Sequence, residues 1–392
     1  MNIVIFTDKY YPEASGIAVT TKILVDLLKE NGNQVLVVTS VYNNKIPSNE
    51  NNIYYISFPE KKKRSLFTTI SVFNNSIFRH IKEFKPDIIH NQTNGQIGQL
   101  GRYTADKLKV PFIYTYHSHY EEYAPYVDSN IVNRVARARE RKYLQRMMNI
   151  STEFIAPSVK IKNYLRKKGV DKYINVLTTG IDAEKWTIDE TIKKDVKYLR
   201  KKYEIPEGDK VLMYVGAITE EKNLDLLINS FKKYLDSEHK YEATLLIAGE
   251  GNQQETLSNL VSTLGIQDKV IFVGKVAHDK IKSYFALADV FVTASTSETQ
   301  SISTMEAMAA STLVLVKDDE TLVGLLDRDI NGFIFNDEAD FAVELNNIFS
   351  LSEDETDKIK KAALKTIKTN FNLQTYYERV MEVYNRAKRK KW

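Results

Sequence analysis

Short apolar runs recur along this chain, and each is closed by a small-residue loop and followed by a helix-forming stretch. Residues 2–7, 34–39, 86–90, 111–116 and 153–157 are such runs in the first half; residues 211–215, 243–248, 270–273, 289–294 and 313–316 are such runs in the second. Their length and β-branched content mark buried strands. Strands that alternate with helices build parallel sheets. Open parallel sheets bind ligands in the loops at the carboxyl ends of their strands. The fold class expected from this rhythm is therefore α/β and doubly wound.

The most informative stretch runs from Asp289 to Ala310, DVFVTASTSETQSISTMEAMAA. Residues 290–293 read as a strand, a polar loop follows, and a helix begins near Ile302. A helix start at that place presents free N–H groups and a partial positive charge, which suits a phosphate near Ser301. Glu298 lies in the loop and Glu306 roughly one turn into the helix, where carboxylates grip hydroxyls better than phosphates. The pattern suits a sugar nucleotide. Taken bare, strand, loop and helix recur throughout α/β proteins, and a glutamate on a helix surface is ordinarily just solvated.

At 392 residues the chain is long enough for two cores. The start MNIVIFTDKYYPE reads as a first strand rather than a leader peptide. No run of about 18 apolar residues is present, so no spanning helix is expected. Cysteine is absent, which excludes thiolate metal sites and fits a cytosolic chain. The six histidines have no metal-ligand spacing, and with a lysine and helix N-termini to meet phosphates the motif residues require no metal and no cofactor. The net charge of +4 conceals segregation: windows 60–85, 132–150 and 379–392 together carry +15, leaving −11 elsewhere. Such basic concentrations suggest an anionic partner surface.

Within 60–85, Leu66, Ile70, Phe73, Ile77, Ile81 and Phe84 share one helical face, widened by Phe67 and Phe78. Lys61, Lys62, Lys63 and Arg64 precede it, where cations oppose the helix dipole. A basic amphipathic helix of this kind suits a membrane interface, and it equally suits a core-packed helix with a solvated basic turn. Residues 131–150, with Arg137 and Arg141, form a second basic amphipathic helix. His117 ends the strand 111–116, a good place for a ligand contact and equally a place for a structural histidine. Gly16 lies in the first βα loop, either as a turn residue or to admit a ligand close to the backbone. In the second half, Gly216 opens the loop GAITEEKN, whose Lys222 is either a surface lysine or a cation within reach of a diphosphate at Ser301. Residues 186–209 are charged and poorly periodic, and the interdomain linker is placed between 175 and 205.

These segments carry a resemblance. FTDKYYPEASGIAVTTK, the histidine of TYHSHYEEYAPYV, GAITEEKN, IAGEG and SETQSISTMEAMAAS together resemble the retaining glycosyltransferases of family 4. The stretch 97–127 is most similar to bacterial diacylglycerol α-glucosyltransferases. The resemblance covers nearly the whole chain. It implies a GT-B fold: two Rossmann-like doubly wound domains facing across a cleft. Residues 1–175, joined by a terminal helix at 373–392, would face acceptor and membrane; residues 176–372 would bind the nucleotide sugar. It also implies roles. Glu306 would hold ribose hydroxyls, Glu298 the donor sugar, Lys222 the diphosphate, and His117 a sugar hydroxyl. Gly16, Gly216, Ser301 and Ile302 would complete the donor contacts, and Asp182 resembles the linker aspartate of a GID motif. Three positions depart from the family pattern. Ala217 stands where an arginine is common, and Ser301 and Ser311 stand where glycine is usual.

The function expected from the resemblance is transfer of a hexose, glucose foremost, from a UDP-sugar to a membrane glycerolipid, with retention. The partners would be a nucleotide sugar and an anionic membrane, with the enzyme peripheral at the inner face of the plasma membrane. Nucleic acid is not expected, because no recognised motif accompanies the basic windows. A soluble glycan or protein acceptor is the alternative, as is a degenerate, non-catalytic partner subunit.

Overall fold

The computed structural model of this protein describes residues 1–11, 16–41, 52–57, 77–117 and 141–390. The chain divides into two compact units, Met1–Gly180 with Leu373–Trp392, and Ile181–Asn372. In the first unit the strands are β1 (Asn2–Phe6), β2 (Gln34–Val41), β3 (Ile53–Ser57), β4 (Ile88–Asn91), β5 (Phe112–Thr115), β6 (Glu153–Ala156) and β7 (Ile174–Val176). They form one sheet in the order β3-β2-β1-β4-β5-β6-β7. The second unit contains β8 (Lys210–Val215), β9 (Ala243–Ala248), β10 (Val270–Gly274), β11 (Val290–Thr293), β12 (Leu313–Lys317) and β13 (Phe333–Phe335). Their order is β10-β9-β8-β11-β12-β13. Every pairing in both sheets is parallel.

Each sheet has a switch point. β1 lies between β2 and β4, and β8 between β9 and β11. The chain winds outward from these strands in both directions, so the loops leaving them part and open a crevice. The strands read as continuous apolar runs because helices cover both faces. Alternation then sorts each strand between two cores. Val4 and Phe6 of β1 join one cluster with Phe112, Tyr114 and Phe154, while Ile3 and Ile5 join another with Ile113 and Ile155. In the second unit Val290 and Val292 face one cluster and Phe291 the other.

The described parts of the two basic amphipathic helices correct the interfacial reading of their apolar faces. In the helix Ile77–Phe84, Ile81 is fully buried and Ile77, Phe78 and Phe84 pack on the core of the first unit. In the helical run 141–150, Leu144 and Met147 are buried in the same core, with Tyr143, Met148 and Ile150 against it. For an apolar stripe, burial against a sheet is an alternative to burial in lipid, and here Ile81, Leu144 and Met147 are already out of water and their neighbours partly so. The exposed side chains of these parts are polar: the basic Arg79, Lys82, Arg141, Lys142 and Arg146, with Glu83, Gln145 and Asn149 beside them.

The terminal helix Leu373–Arg389 belongs to the first unit. Val380, Val383, Tyr384 and Ala387 enter the core around Ile3 and Ile5. The Tyr384 hydroxyl meets the buried His90 Nδ1 at 2.7 Å. Below it, Lys388 donates to Asp87 at 2.9 Å and Lys390 to Glu153 at 2.7 Å, and the Arg386 guanidinium approaches Glu153 at 3.5 Å. The Glu153 side chain is 2% exposed. Its burial would raise the carboxyl's pKa, but hydrogen bonds from Lys390, Asn175 and Arg386 outweigh this and hold it below the usual range.

Three strands escape the sequence reading: β3, β7 and β13. The charged stretch placed as linker is also partly regular, since Glu190–Lys202 is a helix. Asp189 caps it, accepting from the N–H groups of Thr191 and Ile192 at 2.9 Å, and Leu199 anchors it in a core with Ile205, Val211 and Met213. A single buried side chain is too little to show as periodicity.

Ser311 follows the helix Ile302–Ala309 with φ at +57°, in the left-handed region. Its N–H reaches the Met308 carbonyl at 3.2 Å and that of Thr312 reaches Ala307 at 3.0 Å, the paired bonds of a Schellman ending. Glycine is the unstrained residue there. We expect Ser311→Gly to stabilise the second unit by roughly 0.5–1 kcal/mol, read as a raised urea midpoint; an unchanged or lower midpoint would contradict this. We expect the double substitution Arg386→Ala and Lys390→Ala to cost about 3 kcal/mol by stranding the Glu153 charge. Urea unfolding with and without Glu153→Gln added checks it, since the added change should recover much of the loss.

Candidate active site

In the second unit the switch point brings two loops together. β8 and β11 pair with Leu212 opposite Val290 and Met213 opposite Phe291, so residues 216–223 and 294–301 leave the same edge side by side. The Asn223 side chain ties them, donating to the Ala294 carbonyl at 3.3 Å and to Thr296 Oγ1 at 3.4 Å. Asn223 itself takes a left-handed conformation, φ +50°, between a short turn at Glu220–Lys222 and the helix Leu224–Asp236. That turn aims Lys222 across the edge. Its ammonium meets Glu298 Oε1 at 2.7 Å and Ser297 Oγ at 3.4 Å. Ser295 Oγ donates to the same carboxylate oxygen at 3.1 Å. The Lys222 side chain is 18% exposed and that of Glu298 30%, so the pair is shielded but open on one side.

Gly216 begins the first loop, and two glycines of the IAGEG segment let neighbouring backbone press against it. At Gly249, φ +157°, a Cβ would fall 1.8 Å from the Gly216 carbonyl oxygen, and at Gly251 one would fall 2.0 Å from that of Ile218. Tyr214 turns its hydroxyl onto the Ala217 carbonyl at 2.9 Å. Burial first, and then the nearby Glu298 and Glu221 charges, push that phenol well above its ordinary pKa, so it stays protonated and donates.

Ser301 stands at the N-cap position of the helix Ile302–Ala309 with φ −86°, ordinary for any residue, and its side chain makes no capping bond; the Ile302 N–H turns back to the Gln300 carbonyl at 3.0 Å. Its hydroxyl lies 3.2 Å from that of Thr321, which in turn donates to Asp319 at 2.7 Å. A pocket opens beside this helix start, lined among others by Ser295, Glu298, Ser301, Thr304, Asp319 and Thr321. Lys317 also lines it, with its ammonium turned to the Asn336 carbonyl at 2.7 Å. Sequence reasoning found Glu298, Ser301 and Ile302 but passed over Ser295, Asp319 and Thr321. Asp319 and Thr321 come from the loop after β12, which only the sheet order brings beside β11.

Glu306 is also inside, with its side chain 8% exposed, but it does not join the Lys222–Glu298 pair. Its Oε1 meets His278 Nε2 at 2.8 Å. His278 comes from the turn after β10 and was not singled out by any motif. Asp182 caps a short turn at Ala183–Trp186, its carboxylate accepting from the Glu184 N–H at 3.2 Å.

In the first unit, His117 stands at the carboxyl end of β5. Its Nε2 is 2.6 Å from Gln92 Oε1, and Gln92 Nε2 is 3.0 Å from His90 Nε2. His90 also meets Thr115 Oγ1 at 2.7 Å. Shielding from water holds both rings neutral: His117 is depressed to about 4, and His90, with His117 adding to the effect, to about 3. A neutral His117 that donates through Nε2 keeps Nδ1 as an acceptor. Asp8, after β1, accepts from Thr93 Oγ1 and from the N–H groups of Gly95 at 3.0 Å and Ile97 at 3.3 Å, and so caps the helix Gln96–Leu108. Gly16 starts the helix Gly16–Glu30, and a Cβ there would meet nothing within 4 Å among the described residues.

Lys61, Lys62, Lys63, Arg64, Phe67, Phe73 and Arg137 lie outside the described residues. Arg141 is described and exposed. Among the described residues no group of three or more His, Cys, Asp or Glu is placed to hold a metal ion. No helix among them is long and apolar enough to cross a membrane.

Comparison with known proteins agrees with this architecture. The sequence family "Glycosyl transferases group 1" matches residues 195–388, and "Glycosyltransferase Family 4" matches residues 14–185. The alpha-monoglucosyldiacylglycerol synthase of Streptococcus pneumoniae is 31% identical over 353 residues, covering 87% of this chain and 77% of that protein. The enzyme of the same name from Acholeplasma laidlawii is 26% identical over 355 residues, covering 89% and 88%. Among solved structures, Anabaena HepE in complex with UDP superposes with a TM-score of 0.77 at 17% identity, covering 98% of this chain and 100% of that one. The sucrose-phosphate synthase of Thermosynechococcus elongatus superposes with a TM-score of 0.77 at 19% identity, covering 98% of each. Two parallel-sheet units, loops meeting at a switch point, and relatives spanning most of the chain lead to one conclusion: this chain belongs to the family 4 glycosyltransferases, has the GT-B fold, and is a sugar-transferring enzyme.

Proposed function

We propose that this enzyme transfers a hexose, glucose foremost, from a UDP-sugar to the hydroxyl of a glycerolipid such as diacylglycerol or its monoglycosylated form, with retention at the anomeric carbon. The observation that carries the reading is the 2.7 Å contact of Lys222 with Glu298 beside the start of the helix Ile302–Ala309. A cation, a carboxylate and a helix N-terminus at one sheet edge match the two halves of a sugar diphosphate. The lipid acceptor rests on the relatives named as monoglucosyldiacylglycerol synthases.

On this reading the diphosphate enters beside Lys222 and the start of the helix Ile302–Ala309, and Glu298 accepts hydrogen bonds from sugar hydroxyls; in the first unit His117 Nδ1 is an acceptor for a hydroxyl. The acceptor oxygen attacks the anomeric carbon on the face the diphosphate leaves. The carbon–oxygen bond to phosphate breaks, and the acceptor proton passes to a leaving phosphate oxygen. The chain's contribution is positioning and charge stabilisation. Ala217 supplies no cation where the family commonly has arginine, which places more of the leaving-group charge on Lys222. Glu306 takes the ribose hydroxyls, and Gly16 leaves room for the substrate at the first βα loop. The basic side chains, Lys61 to Arg64 and Arg137 with Arg141, bring the enzyme to an anionic leaflet at the inner face of the plasma membrane.

Incubation with UDP-glucose and diacylglycerol in anionic vesicles should release UDP and form a glycolipid detectable by mass spectrometry. UDP release with soluble glycans and none with any lipid would favour a non-lipid acceptor instead. Lys222→Ala should lower kcat by roughly 10²–10³, the cost of removing one charge-stabilising donor; a loss under threefold would remove Lys222 from the chemistry. Replacing Lys61, Lys62, Lys63 and Arg64 with glutamine should weaken vesicle binding at least about tenfold at low salt. Unchanged sedimentation with vesicles would place membrane contact elsewhere or nowhere.

A further inference from the structure

The Glu306–His278 contact has no part in the sugar-transferring step described above. Glu306 sits on the helix Ile302–Ala309 with its carboxylate almost out of water, 8% exposed, and His278 closes over it from the turn His278–Lys280, 65% exposed. The bond between Nε2 and Oε1 is 2.8 Å. The ring is held from the other side by Trp186, edge to face with centroids 5.9 Å apart and planes at 89°. Trp186 is itself buried and packs on Phe285. The imidazole is therefore fixed by two contacts from different elements, although most of it faces solvent. The charged groups acting on it are Glu306 on the neighbouring helix, Asp279 on its own turn and Lys185 on the turn that carries Trp186. The bond to Glu306 raises the histidine's pKa above its ordinary value against the opposing effect of burial.

A carboxylate offers about four lone-pair sites on two oxygens. His278 uses one of them and leaves Oε2 and the remaining Oε1 site unclaimed by that bond. Two adjacent hydroxyls need two acceptor sites in one plane at a fixed angle, so the carboxylate must not turn. Burial already limits the rotamers of Glu306, and the bond to the imidazole further fixes the plane of its carboxylate before the ligand arrives. Preorganisation of this kind adds to affinity and, more strongly, to discrimination.

We propose that His278 is a positioning residue that locks the Glu306 carboxylate to receive the vicinal diol of a nucleoside ribose, and so sets the preference for ribose over deoxyribose nucleotides. The proposal rests on the reading that Glu306 takes the ribose hydroxyls. It adds a residue from the turn after β10 to the nucleotide site, and assigns it an effect on selectivity rather than on the sugar-transfer chemistry.

The test is isothermal titration of UDP and 2′-deoxy-UDP into the full chain, for the parent enzyme, His278→Ala, His278→Gln and Glu306→Gln. Apo thermal unfolding checks that each variant is folded; the exposure of His278 makes its two substitutions tolerable, and Glu306→Gln keeps the shape of the buried side chain. The parent enzyme should bind UDP more tightly than 2′-deoxy-UDP by about tenfold to a hundredfold, the worth of a hydrogen bond to a charged group. In His278→Ala that ratio should fall to about threefold or less, mainly through weaker UDP binding. His278→Gln places a side-chain N–H near the position of Nε2 and should restore part of the ratio. If the parent enzyme discriminates and His278→Ala keeps the full ratio, the positioning role is overturned while Glu306 stands. If the parent enzyme does not discriminate, or Glu306→Gln leaves discrimination intact, the ribose reading of Glu306 fails and this proposal fails with it.

Discussion

Parallel pairing at the two switch points is the constraint on which the rest of this protein depends. Because β8 pairs with β11 in parallel, the loops that follow both strands emerge from one edge, although about 75 residues of chain separate them. No local interaction could bring Lys222 to Glu298 across that interval. The sheet does so, and Asn223 then fastens the two loops through Ala294 and Thr296. The glycines at 249 and 251 serve the same arrangement, since their missing Cβ atoms let a third loop lie against the backbone of the first. A motif that reads like a ligand signature is, in its geometry, partly a packing requirement.

The state of the Lys222–Glu298 pair follows from its surroundings. A partly shielded ion pair open on one side contributes little to folding, because solvent still reaches it. Opening such a pair is correspondingly cheap, as the proposed binding of a diphosphate there requires. Glu153 shows the opposite case. It is almost fully removed from water and serves to fasten the terminal helix through Arg386 and Lys390. The first unit thus uses a buried charge for architecture, and the second keeps a half-open one where chemistry is proposed.

The two basic amphipathic segments show where sequence patterns are ambiguous. An apolar stripe with a cationic back fits a lipid surface and a protein core equally well. Ile81, Leu144 and Met147 proved to be core, since a parallel sheet must be covered on both faces and these helices supply the cover. Sequence legibility also varied with element length. The strand read at 290–293 is the strand observed, as is 243–248, because both are buried apolar runs with clear stops. The edge strands Ile174–Val176 and Phe333–Phe335 are three residues long, too short for any periodicity to register. Ser311 was marked only as a departure from the family pattern, and its positive φ gives that departure a backbone meaning.

From sequence alone, the alternation of strand and helix determined the class of fold, and the motif spacings placed Glu298, Ser301, Ile302 and Lys222 at strand ends. Those are local facts: β-branched runs make strands, and polar loops with helix formers end them. Which strand ends meet was decided only by tertiary structure. Asp319 and Thr321 join the pocket because β12 neighbours β11, and His278 reaches Glu306 because a turn 28 residues upstream folds over the helix. Side-chain chemistry is written residue by residue, but proximity between distant residues is a property of the whole sheet.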